Sequence, residues 1–241
     1  MVLTGATGGV GRAVADRLAR GGARLALIAR GAAELQELAE RLDAAALSGD
    51  LTDRDFIAAA PGSLSDALGG TPDVVINNAG AFAVAPFVDT EPETFERMLA
   101  VNVRAPFELT RALLPDMLRR GRGHLVSVGS VAGRTAFPGN AAYSASKFGL
   151  YGLHRVLVEE LRDSGLKATW IEPSAVDTPL WNPLEPDQRP DLPSRSEMLR
   201  PEAVADAIEF VLSRPENVNI EELVIRANSA RVGDGERVAE E

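Results

Sequence analysis

Tyr143 and Lys147 stand four residues apart in the stretch Tyr143-Ser-Ala-Ser-Lys147. In a helix that spacing puts both side chains on one face, a turn apart. An ammonium so close to a phenol favours the phenolate, so the pKa of Tyr143 is expected to fall from its ordinary value of about 10. Such a phenol can give a proton to a carbonyl or take one from an alcohol. Many surface helices carry the same pair by chance. Here it gains weight from Ser130, thirteen residues upstream, and from a glycine-rich turn near the N-terminus.

That turn is Thr4-Gly-Ala-Thr-Gly-Gly-Val-Gly11, between the apolar start Val2-Leu3 and a helical pattern over Arg12 to Ala19. Its glycines allow a tight turn and close backbone approach. The helix start adds unpaired N–H groups and partial positive charge suited to a pyrophosphate. Gly5, Thr7, Gly8, Gly9, Val10 and Gly11 are therefore candidate cofactor residues. The first strand is short for its type, as if clipped or begun upstream of Met1. A second apolar run, Arg24 to Ala29, ends at Ala29-Arg30. An acidic residue near this point would hold an adenosine ribose hydroxyl, whereas a guanidinium grips a 2′-phosphate. Arg30 thus favours NADP(H) over NAD(H); the plainer reading is a solvated arginine.

The remaining pattern alternates helices and strands. Ala32 to Leu42 is a helix, and Leu47 to Leu51 a short strand. There Asp50, beside Leu51, accepts from an adenine amino group or caps the next helix. That helix, Asp53 to Leu68, is expected to break at Pro61-Gly62. Asp73 to Gly80 is a fourth strand and its exit. Asn77 and Asn78 can bond backbone of neighbouring strands, and Ala79-Gly80 leave room for a ligand. Pro92 to Ala100 is a helix that continues to about Arg120. Pro106 offers no N–H to the carbonyl of Asn102, so a kink is expected, with a carbonyl free to hold a water; a solvent-facing asparagine is the alternative. His124 to Ser130 is the fifth strand, with Ser130 at its carboxyl edge and His124 structural at the other end. Tyr143 can return to that edge after Val131 to Ala142. Its helix, about Asn140 to Asp163, is apolar over more than one stripe, as a helix buried on two sides would be. Lys167 to Pro173 is the sixth strand. Beyond it Pro173, Val176 and Thr178 are placed for a flat apolar ring and an amide. Residues 179–200 are proline-rich and read as a lid. Glu202 to Leu212 is a helix and Val218 to Arg226 the last strand. Residues 231–241 read as a disordered acidic tail after a single domain over 1–230.

Composition narrows the function. Net charge is −10, which disfavours nucleic acid and anionic membrane as partners. The chain has no cysteine and two distant histidines, so thiolate chemistry and a cysteine or histidine metal site are not expected. No apolar run reaches membrane-spanning length, and the cytoplasm is the default compartment.

Taken together, Thr4-Gly5-x-x-x-Gly9-x-Gly11, Asn77-Asn78-Ala79-Gly80, Asn102, Ser130 and Tyr143-x-x-x-Lys147 resemble the short-chain dehydrogenase/reductase family across the whole chain. The last strand is similar to the NADP-dependent branch that includes 3-hydroxy acid dehydrogenases. Gly8 and Ser174 depart from the residues usual at their places. The resemblance implies a Rossmann-type, doubly wound α/β domain with a seven-stranded parallel sheet and helices on both faces. It implies hydride transfer between nicotinamide and a small carbonyl or secondary alcohol. Tyr143 would be the acid/base and Lys147 its electrostatic aid and ribose anchor. Ser130 would bind the carbonyl oxygen, and Asn102 would hold a water linked to Lys147. It also implies a homodimer or homotetramer through the Tyr143 helix. The rival readings are a non-catalytic dinucleotide sensor and an epimerase or dehydratase; the last lacks assignable extra acid/base groups.

Overall fold

The computed structural model describes residues 1–228, so the residues read as an acidic tail lie outside the described residues. Seven strands form one parallel sheet in the order β3-β2-β1-β4-β5-β6-β7. They are β1 (Val2–Thr4), β2 (Ala26–Ala29), β3 (Ala45–Ser48), β4 (Val74–Asn77), β5 (Gly123–Val128), β6 (Leu166–Pro173) and β7 (Glu222–Ile225). The order reverses at β1, which pairs with β2 on one side and β4 on the other. This is where a doubly wound sheet opens a crevice beyond its strand ends.

Side chains alternate across the strands and split the core in two. Leu3, Leu27, Ile76, Val126 and Ile171 point to one face. That face is covered by α1 (Gly9–Arg20), α2 (Ala32–Leu42) and α7 (Pro201–Leu212). Val2, Ile28, Val75 and Leu125 point to the other. There α3 (Arg54–Leu68), α5 (Ala105–Arg120) and α6 (Ala141–Glu160) cover them. The near-continuous apolar run of β2, buried throughout, suits a parallel strand covered on both faces.

Several expected bounds move. α3 does not break: Pro61 sits inside an unbroken helix whose buried residues, Ile57, Ala60 and Leu64, lie on another face. Asp50 does not cap it; Asp53 does, accepting from the Asp55 N–H at 2.9 Å. β3 is shifted towards the N-terminus and overlaps the predicted span only at Leu47 and Ser48, and β7 is four residues rather than nine. α1 begins three residues early, within the glycine run. The kink expected at Asn102 is present as a π-helical segment, Ala100–Arg104, between α4 (Pro92–Leu99) and α5. The proline-rich stretch is a chain of 3₁₀ turns at Pro179–Leu184, Pro186–Gln188 and Arg195–Glu197.

Candidate active site

Beyond the carboxyl ends of the strands lies a cavity of about 1260 Å³. Its wall includes Gly5, Thr7, Gly8, Gly9, Val10, Gly11, Arg30, Asp50, Leu51, Ala79 and Gly80. Ser130, Tyr143, Lys147, Pro173, Val176 and Thr178 line the same cavity. Two expected site residues are not on it. Asn77 is buried, and its amide donates to Thr110 Oγ1 on α5 at 3.0 Å rather than to a neighbouring strand. Asn102 is 1% exposed, which overturns the solvent-facing reading.

The glycine turn and the β4 exit are tied to each other. Thr4 Oγ1 accepts from the N–H groups of Asn78 and Ala79, both at 3.0 Å. The Asn78 amide donates to the Thr4 carbonyl at 2.9 Å. Gly5 holds a left-handed φ of 66°, and a Cβ there would meet Ala79 Cα at 2.8 Å. Packing demands that glycine. Gly8 is different: a Cβ there would meet one atom, the Gly5 carbonyl oxygen, at 3.3 Å. Its open side belongs to the cavity wall. Gly8 is also the N-cap of α1, with no side-chain cap and no acidic residue in the first turn. Free N–H groups and bare backbone at a helix start fit a pyrophosphate. Arg30 is exposed on the same wall with no ion-pair partner among the described residues. The residues present therefore fit a dinucleotide.

Asn102 reaches across from the π-helical segment. Its Oδ1 accepts from the Ala81 N–H at 2.7 Å, and its Nδ2 donates to the Ala81 carbonyl at 2.9 Å and to Ser146 Oγ at 2.9 Å. Ser146, fully buried on α6, donates in turn to the Tyr143 carbonyl at 2.7 Å. One amide thus joins the chain leaving β4 to the helix bearing Tyr143. The sequence reading gave no role to Ser146, bonded to Asn102 44 residues away, or to the hydroxyl of Thr4, the first residue of the glycine motif, whose partners lie more than 70 residues away.

Tyr143 and Lys147 share a face as expected, with Lys147 Nζ 5.8 Å from the phenol ring centroid. The expected fall in the tyrosine pKa is not met. Burial pushes the Tyr143 phenol up to about 12, opposed by a hydrogen bond with the Ser130 side chain. Burial also pulls Lys147 down to about 8. Desolvation disfavours the charged form of each group. Lys147 meanwhile donates to the Val128 carbonyl at 3.1 Å, on the strand that delivers Ser130. The hydroxyl bond between residues 130 and 143 brings the two candidate groups together at the cavity wall.

Ser130 has a floor of its own. A Cβ at Gly129 would overlap Trp170 Cζ2 at 1.9 Å, so the turn into Ser130 lies directly on the indole. Trp170 Nε1 donates to Glu172 Oε2 at 2.9 Å. Glu172, 1% exposed, pairs with Arg134 Nε at 2.6 Å. Arg134 closes the 3₁₀ turn Val131–Gly133 after Ser130. It also pairs with Glu222 of β7 and stacks over Tyr151 of α6 at 4.3 Å. His124, bonded to Thr169 Oγ1 at 2.7 Å, is a core residue held neutral by a pKa near 4, lowered by burial and then by Lys167. Among the described residues no group of three or more metal-ligating side chains occurs, and no helix is long and apolar enough to cross a membrane.

A doubly wound sheet with a dinucleotide cradle and a serine–tyrosine–lysine cluster defines the class: nucleotide-binding α/β proteins with acid/base groups at the strand ends. Residues 1–189 match the short chain dehydrogenase family, and the chain belongs to it. An uncharacterized oxidoreductase of Staphylococcus epidermidis is 32% identical over 227 residues, 93% of this chain and 95% of the relative. The closed form of a serine dehydrogenase complexed with NADP+ superposes with a TM-score of 0.88 at 27% identity, over 100% of this chain and 99% of its own. A 3-ketoacyl-(acyl-carrier-protein) reductase of Brucella melitensis, complexed with NADH, gives 0.83 at 26% identity, over 95% and 96%.

Proposed function

We propose that this protein is an NADP(H)-dependent oxidoreductase that interconverts a small carbonyl compound and its secondary alcohol. The observation that carries the reading is the meeting of Ser130, Tyr143 and Lys147 on the wall of a cavity with a dinucleotide cradle. When bound, the nicotinamide supplies hydride in reduction and accepts it in oxidation. In reduction the Tyr143 hydroxyl gives its proton to the carbonyl oxygen, and the Ser130 hydroxyl donates a hydrogen bond to the same oxygen as charge develops there. The Lys147 ammonium favours the phenolate left behind and holds the ribose hydroxyls. The Asn102 side chain fixes Ala81 and the Tyr143 helix, while its main-chain carbonyl holds a water leading out from Lys147. Arg30 grips the 2′-phosphate. The NADP+ complex of the serine dehydrogenase supports this choice of cofactor, and the NADH complex of the reductase is the competing precedent.

The apolar residues Phe148, Leu153 and Val156 of α6 and Phe107 of α5 stay exposed on one chain. We assign them to the interface of a homodimer or homotetramer. The compartment proposed is the cytoplasm, where a chain without cysteine loses nothing. Residues 179–200 act as the lid. The test is NADPH oxidation over a panel of aldehydes, ketones and β-keto acids. The Tyr143→Phe variant should lose roughly 10²–10⁴-fold in turnover while still binding NADPH. A wild-type protein that binds NADPH but reduces nothing, with Tyr143→Phe intact in the cell, would support the sensor reading.

A further inference from the structure

The cavity is larger than the roughly 300–1,000 Å³ of most single-ligand sites, with about 1260 Å³ in one continuous space. Away from the cradle the apolar part of its wall includes Phe82, Val84, Phe137, Leu180, Trp181 and Leu192. The Phe82 ring lies 4.8 Å from Tyr143, edge-on at 80°, and 4.8 Å from Trp181. Three rings thus run from the proton-transferring phenol to the proline-rich segment. Leu180, 52% exposed, adds bare apolar surface at the same mouth.

The ring at the far end of this row is held in place. The segment carrying Trp181 is closed at its base by Asp177 N–H to the Leu199 carbonyl at 2.8 Å and Leu199 N–H to the Ala175 carbonyl at 2.9 Å. Arg195 pairs with Asp177 and donates to Asn182 Oδ1, next to Trp181, at 2.7 Å. The acids on this wall have partners: Asp191 pairs with Arg189 at 2.6 Å, and Glu197 accepts from the Ser194 N–H and hydroxyl at 2.9 and 2.8 Å. The remaining charges on this wall are the guanidinium groups of Arg97, on α4, and Arg226, both exposed at the rim.

We propose that the substrate is a ketone or aldehyde bearing an aromatic ring or a comparably bulky apolar group, seated against Phe82 and Trp181. Trp181 is then a specificity-determining residue. Stacked or edge-on rings at such spacing add to what apolar burial supplies, while a small hydroxy acid would leave this wall uncovered. The inference rests on the oxidoreductase reading above, and it can fail separately from it.

The experiment compares kcat/KM with NADPH for acetophenone, acetone and acetoacetate. It adds calorimetric binding of acetophenone to the protein with NADP+. Wild type should prefer acetophenone by about tenfold or more. Trp181→Ala should lose about tenfold for acetophenone, mostly in KM, with a much smaller loss for acetone; Trp181→Phe should restore most of it. Melting curves verify that both variants fold. Preference for acetoacetate overturns the proposal and points to Arg97 or Arg226 as the substrate's anchor, and equal losses for all three compounds overturn it as well. Acetophenone that binds in a Trp181-dependent way without turnover retains the aryl site and removes the oxidoreductase reading. Absence of both binding and turnover overturns the aryl site.

Discussion

Tyr143 and Lys147 show what residue spacing foretells and what it omits. The four-residue interval placed both on one face, but the interval carries no information about burial. Burial raises the phenol to about 12 and lowers the ammonium to about 8. The expected consequence is a loss of reductase activity above about pH 8, where Lys147 gives up the charge that favours the phenolate. A pH profile of kcat/KM checks it: Lys147→Met should be slower throughout and lack that step. The stability linkage has the opposite sense. The folded chain releases the Lys147 proton near 8 and the unfolded chain near 10.5, so unfolding free energy should rise between those values. Arg30 makes a second residue-scale prediction. If it grips the 2′-phosphate, Arg30→Ala should weaken NADPH about tenfold or more while NADH changes little, read by fluorescence titration. Equal losses would remove the NADP(H) assignment. Arg30 stood out because a guanidinium takes the place of the usual acid at one strand end, and it lines the cavity. Asp50 stood out less: it lines the cavity, but its Oδ1 already accepts from the Thr52 N–H and hydroxyl, both at 2.8 Å.

Elements set the site through contacts that no local pattern reveals. Strand β5, the 3₁₀ turn after Ser130, β6, β7 and α6 are bracketed by Trp170, Glu172, Arg134, Glu222 and Tyr151. Each is an ordinary residue in sequence, and the bracket exists only once β6 lies between β5 and β7. The same is true of Ser146, which looks like filler in the Tyr143 motif. Glu172→Ala should cost about 1–3 kcal/mol, because it leaves the buried indole N–H of Trp170 without an acceptor while Arg134 keeps Glu222. Denaturant titration reads that number, and a loss below about 1 kcal/mol would show that the bracket holds little. The outer acid behaves differently. Burial alone would raise Glu222, yet hydrogen bonds from Arg134, Tyr151 and Arg155 hold it at about 2. Its contribution is complete above the ordinary glutamate value and is lost as pH falls from about 4.5 towards 2. Glu222→Gln should therefore flatten the acid limb of the stability profile.

At the scale of the molecule, the sequence disclosed the architecture better than its edges. Apolar runs and glycine punctuation marked out seven strands, and the family resemblance implied the helices on both faces; the unbroken α3 and the short β7 were hidden because proline tolerance and strand pairing depend on neighbours. The exposed phenylalanines of α5 and α6 make the molecular prediction. Sedimentation should find a dimer or tetramer, and Phe148→Glu should release monomers, since an isolated charge in such an interface costs several kcal/mol. Monomers in the wild type would remove the proposed interface. Finally, the chain carries two indoles in contrasting settings: Trp170, wholly enclosed beneath Gly129, and Trp181 at the cavity mouth. Nature has thereby furnished two optical reporters. With Trp170→Phe, the surviving emission tracks the entrance alone; with Trp181→Phe, it tracks the integrity of the interior, and neither needs an attached dye.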